Sequence, residues 1–74
     1  MEQLLEIINT VLKNRGKPVA AAITRESRLR DDLSMDSLDL AELTVRIEAV
    51  FDVDVFSDGI VTTVGEIAEK IESR

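Results

Sequence analysis

Apolar residues at positions 4, 5, 8, 11 and 12 recur with the spacing of one helix face, and the run from Glu2 to Lys13 that carries them holds neither Gly nor Pro. Gly16 and Pro18 in Asn14-Arg15-Gly16-Lys17-Pro18 then supply a stop, so a first helix is predicted over this segment. A second periodic run extends from Asp36 to Phe51. A third begins at Thr63-Val64-Gly65-Glu66, which has the spacing of a capping box ahead of Ile67, Ala68 and Ile71. Between these last two, Ser57 to Val61 has room for about one turn of helix, weakened by Gly59.

The middle run has two apolar faces. At about 100° per residue, Leu40, Leu43, Ile47, Val50 and Phe51 gather on one wide side, which is expected to face the core. Leu38, Ala41 and Val45 fall opposite, at i, i+3 and i+7, bordered by Asp39, Glu42 and Glu48. Two readings of that stripe stand. It is a scatter of exposed apolar side chains such as any surface tolerates, or a docking strip for a groove with an apolar floor and a Lys/Arg rim.

The stretch from Gly16 to Met35 is long for a structureless connection in a small domain. Ile23, Leu29 and Leu33 are spaced to pin it onto a helical core, and the tract from Arg28 to Leu33 suits a local helical turn. With no strand-length alternation beyond Val53 to Phe56, the expected fold is all-α: one domain over residues 1–74, a four-helix bundle with three main helices, a short third helix and a long first loop.

Composition narrows the chemistry. The 74 residues contain no Cys and no His, which removes disulfides, thiolate and imidazole ligands and the usual general base. No residue pair offers a tuned acid and base, so no catalytic residue and no metal site is expected, and an enzyme is the least favoured class. The net charge is −6, which argues against nucleic acid and for a basic protein surface as partner. Acids crowd the segment from Asp31 to Val45 (Asp31, Asp32, Asp36, Asp39, Glu42) with no Lys or Arg among them. Glu2 and Glu6 stand where a leader would be basic, and the longest apolar run, Val19 to Ile23, is far too short to span a bilayer. A cytoplasmic monomer without membrane insertion is the expectation. Asp52 to Gly59 looks like a calcium loop but places Phe56 at a ligand position and Ser57 where glycine is needed, so that template fails.

Asp36 and Ser37 open the middle helix, where either residue commonly serves as an N-cap. Ser37 has no histidine to activate it, so it is no self-sufficient nucleophile. A phosphate ester on it, however, would sit in the favourable field of a helix N-terminus.

The stretch Asp36-Ser37-Leu38-Asp39-Leu40-Ala41-Glu42-Leu43 resembles the acyl carrier protein family, whose attachment motif is Asp-Ser-Leu at the start of the second helix. The likeness spans nearly the whole chain, through Val50 to Phe56 and the Thr62 to Ile67 opening of the last helix. The resemblance implies that a phosphopantetheinyl transferase, using coenzyme A and Mg²⁺, attaches 4′-phosphopantetheine to Ser37, flanked by Asp36 and Leu38. It implies a carrier that catalyses nothing itself and presents an acyl thioester to ligases, acyltransferases or synthases with basic docking surfaces. Asp39, Ala41, Glu42, Val45, Glu48 and Val55 are the implied partner-binding residues. Leu43, Ile47, Ile60 and Val61 either line an acyl pocket or are plain core. Ser34 stands where the family often has glycine, and Arg46 and Ala49 dilute the acidic signature, which points to a specialised lipid, polyketide or cell-surface/secondary-metabolite pathway. An aminoacyl or peptidyl carrier, and an unmodified acidic helical adaptor, are the alternatives.

Overall fold

In the computed structural model, which describes residues 2–56, 59 and 61–73, the chain forms three helices: α1 (Glu2–Asn14), α2 (Ser37–Phe51) and α3 (Val64–Glu72). The fold is all-α; among the described residues the only extended pairing is an isolated antiparallel bridge between Arg28 and Thr63. The short helix expected at Ser57 to Val61 falls largely on positions outside the described residues.

Each helix starts or stops for a local reason. Asp36 caps α2, its carboxylate accepting the N–H groups of Leu38 and Asp39 at 3.0 Å, while Asp39 answers by accepting the Asp36 N–H at 2.9 Å. Thr63 and Glu66 make the same reciprocal box for α3. α2 ends at Asp52, which is left-handed (φ 59°) and donates its N–H to Glu48 O. That reversal turns the following segment inward.

One core gathers Leu4, Ile7, Ile8, Val11 and Leu12 of α1, Leu40, Leu43 and Ile47 of α2, and Val64 and Ile67 of α3. Val50, expected on the core side, is 48% exposed and lines a shallow groove with Ile7 and Thr10 of α1. It lies at the edge of the apolar arc, where α1 covers it only in part.

The long loop is ordered from two sides. Leu29, Leu33 and Met35 are buried in the core and Ile23 packs against it. The first backbone N–H groups of α3, which have no partner within a helix, are used as anchors: Val64 donates to Ser27 O (2.9 Å) and Gly65 to Arg25 O (2.8 Å), while Leu29 donates to Thr62 O (2.9 Å). Gly65 permits this approach, because a Cβ there would stand 2.8 Å from Arg25 O. Nearer α1, the Asn9 amide pairs with both backbone groups of Ala20 at 2.8 Å, replacing a missing main-chain partner. The Arg28 to Leu33 tract forms the expected turn, with Asp32 and Leu33 both donating to Arg28 O.

Candidate functional site

Ser37 is the first residue of α2, and its side chain is exposed. Because Asp36 is the cap, the Ser37 hydroxyl is not used to close the helix. Its one hydrogen bond among the described residues comes from Arg30, whose Nη2 donates to Ser37 Oγ at 3.2 Å. Among the described residues no base touches the hydroxyl, so the site lacks what an unaided nucleophilic serine needs. No cluster of three or more metal-ligating side chains occurs among the described residues.

Beside Ser37 lies a groove of 460 Å³ lined by Arg30, Ser37, Leu40, Ala41, Thr44, Phe56, Gly59 and Val61. Ser37, Leu40, Ala41 and Thr44 stand at i, i+3, i+4 and i+7, hence along one face of α2. Thr44 Oγ1 is buried with no hydrogen-bond partner among the described residues. Of the residues expected to line an acyl pocket, Val61 reaches the groove; Leu43 and Ile47 are fully buried in the core beneath it. Ile60 lies outside the described residues. Arg30, Thr44 and Phe56 were not anticipated, although the spacing from Ser37 to Thr44 along one helix face was available in the sequence.

The outward stripe of α2 is present: Leu38 is 64% and Val45 66% exposed, with Ala41 exposed between them. Its acidic border differs from expectation. Asp39 is fully buried, because Lys17 and Arg15 from the loop after α1 fold over it. The Lys17 ammonium donates to Oδ2, and the Arg15 Nε stands 2.8 Å from Oδ1 as an ion pair without hydrogen-bond alignment. Burial pushes the Asp39 carboxyl up, but the Lys17 hydrogen bond, the Asp36 N–H and the two cations outweigh it and hold the carboxyl below the ordinary range. Lys17 is correspondingly raised, chiefly by its hydrogen bond to Asp39. Asp36 is lowered, first by the hydrogen bond from the Asp39 N–H, against partial desolvation.

Glu42 is also engaged. It accepts from Arg46 Nε at 2.9 Å and from the Asn14 amide at 3.2 Å, which hold its carboxyl low. Glu48 alone of the three expected acids is exposed without an ion pair among the described residues. Val55, expected to prolong the apolar stripe, is fully buried, since the left-handed Asp52 turns it into the core. Ser34, in the place where a glycine was expected, has φ 59°, so the backbone takes the left-handed turn with a serine in it. Its carbonyl accepts from the Lys17 ammonium at 2.7 Å.

Comparison with known proteins agrees with this geometry. A family model described as the phosphopantetheine attachment site matches residues 2–71. A protein named acyl carrier protein from Amoebophilus asiaticus (strain 5a2) is 32% identical over 76 residues, covering 100% of this chain and 95% of its own length. Another of that name, from Phytoplasma australiense, is 38% identical over 52 residues, covering 70% of this chain and 68% of its own length.

Proposed function

This chain belongs to the acyl carrier protein family, whose prosthetic group is 4′-phosphopantetheine, and we propose that Ser37 is the residue on which it bears that arm. The observation that carries the reading is the exposed Ser37 hydroxyl on the first turn of α2, released from capping duty by Asp36 and lining a groove. The residues present suit the group: a hydroxyl to esterify, a helix N-terminus to favour the phosphate, and an open channel beside it. In the transfer, the Ser37 Oγ–phosphorus bond forms as the pyrophosphate link of coenzyme A breaks, adenosine bisphosphate leaves, and the hydroxyl proton passes to a base of the transferase. When bound, the arm supplies the thiol this cysteine-free chain lacks, on which an acyl group is held as a thioester.

The chain's own part is to position and to be recognised, without catalysis. Leu38, Ala41 and Val45 form the apolar contact strip for the transferase and for acyl-handling enzymes, with the exposed Glu48 as its negative charge. With Asp39 and Glu42 engaged at home, shape and apolar contact weigh more in docking than local charge pairing. This suits a dedicated partner set in a specialised pathway.

Intact-mass measurement after incubation with coenzyme A and a broad-specificity transferase tests the site. Wild type gains the mass of the arm and Ser37→Ala does not. A wild type that stays unmodified with several competent transferases, or a Ser37→Ala protein that still gains the arm, refutes it.

A further inference from the structure

Around Ser37 the cations are almost all neutralised. Arg15 and Lys17 are held by Asp36 and Asp39, Arg28 by Asp31 and Asp32, and Arg46 by Glu42. Arg30 is different. It is exposed, two acids follow it directly in the chain, and yet both turn to Arg28. Its guanidinium makes no ion pair among the described residues and reaches over to the Ser37 hydroxyl, a neutral acceptor at 3.2 Å.

That placement is fixed by the fold. Leu29, immediately before Arg30, is fully buried and donates its N–H to Thr62 O. Leu33 and Met35 are buried just beyond, and Met35 donates to Leu29 O at 3.0 Å. The backbone that carries Arg30 is therefore anchored on both sides, and the side chain forms one wall of the groove that also contains Ser37.

Resting on the reading of Ser37 as the attachment residue, we infer that Arg30 is a binding residue for the arm: its guanidinium grips the phosphodiester on Ser37 and seats the root of the arm at the mouth of the groove. A phosphodiester carries one negative charge over two free oxygens, and the planar guanidinium presents paired donors to such a group. The esterified Oγ already lies within hydrogen-bond reach of Nη2, so the free oxygens, two bonds further on through the phosphorus, fall within reach of the same fork. The first turn of α2 adds its own field. Because the phosphate is tethered to Ser37, the contact forms without the entropic cost of association, and even a solvent-exposed pair stays populated. Arg30 thereby biases the root of the arm toward the side of α2 that faces Phe56 and Val61, away from the exposed Leu38 and Val45.

Phosphorus NMR of the loaded protein tests this, alongside intact mass to count arms and circular dichroism to confirm folding. The variants are Arg30→Gln and Arg30→Lys; the side chain is outside the core, so both are expected to fold. In loaded wild type the phosphorus resonance is displaced from its position in the same protein unfolded in urea, and added salt shrinks that displacement as the pair is screened. Arg30→Gln loses most of the displacement and its salt dependence, and Arg30→Lys, a point charge without the fork, keeps part. The Arg30 Nε–H signal of wild type shifts between the unloaded and loaded forms. A phosphorus resonance and salt response identical in wild type and Arg30→Gln overturn the inference and leave Ser37 as the attachment site. An arm that never attaches overturns both.

Discussion

Asp39 is the residue whose loss should be felt most, and its surroundings set the size of the effect. Replacing it with Ala removes the Lys17 hydrogen bond, the Arg15 ion pair at 2.8 Å and the acceptor for the Asp36 N–H. Breaking one side of a buried ion pair costs about 3–5 kcal/mol. Here the side chains of Arg15 and Lys17 are 36% and 24% exposed, so they can return to water, and the low end, about 3 kcal/mol, is expected. A domain of this size has roughly 5 kcal/mol in total. With a urea dependence of about 1 kcal/mol per molar, the unfolding midpoint falls by roughly 3 M. Asp39→Asn keeps an acceptor for the Asp36 N–H and loses only the charge, so its midpoint lies between the two. Far-UV circular dichroism is the assay, since the chain has no Trp or Tyr for fluorescence. The pH dependence checks the cause. The folded Asp39 carboxyl is held below its ordinary value, so its contribution is complete above the unfolded pKa of about 3.9 and fades as pH falls through the lower, folded value. Wild type and Asp39→Ala should therefore differ fully at neutral pH and converge in acid. Lys17, raised in the fold, reports the same pair at the alkaline end, where the contribution is lost as pH climbs past its folded value. A midpoint shift under about 0.5 M at pH 7, or one that persists unchanged into acid, would refute the account of Asp39 as a buried, paired anion.

Gly65→Ala should lower the melting temperature by roughly 5–10 °C, because overpacking against Arg25 O costs more than the better helix propensity returns; a rise would show that the approach at Gly65 is not tight. Thr44→Val removes a buried hydroxyl that has no partner among the described residues and should stabilise the unloaded protein by about 1 kcal/mol in the same urea assay; no gain would mean that the hydroxyl is satisfied in solution. At Ser34, Gly should outlast Val in thermal melts by about 1–2 kcal/mol, since only glycine takes the left-handed turn without strain; equal stability would remove the turn from consideration. Val45→Lys, at an exposed position, should leave the melting temperature alone but cut kcat/KM for loading by the transferase about tenfold; unchanged loading would take Val45 out of the docking strip.

Much of the fold was legible because its signals are local. Gly16 after α1 and the Thr63–Glu66 spacing before α3 each depend on a few adjacent residues, and the structure uses both. The Asp36–Asp39 spacing carries the same box signal at α2, but the fate of Asp39 depends on Arg15 and Lys17, far back in the chain. No periodicity in α2 reveals that two cations will fold over one of its acids. The same holds for the long loop. Leu29 and Leu33 marked it as pinned, whereas the backbone bonds from Val64 and Gly65 to Ser27 and Arg25 exist only once both ends are in place. Val55 was misplaced by a single residue's conformation, the left-handed Asp52, which an aspartate adopts often enough to be allowed but not often enough to be read in advance.

These pairings divide the electrostatics of the molecule by distance. The net charge of −6 still acts on an approaching basic partner from afar, where individual ion pairs blur into one field, and governs the rate of encounter. At contact, Asp39 is buried and Glu42 is occupied, so under the proposed docking mode a partner would meet Leu38, Ala41 and Val45 with Glu48 beside them. Salt should then slow association with an acyl-handling enzyme, while truncation of Leu38 or Val45 should speed dissociation. Were the two perturbations to act on the same rate constant, the acids along α2 would have to be free for direct contact, and the charge pairs that hold them at home would have to open when a partner arrives.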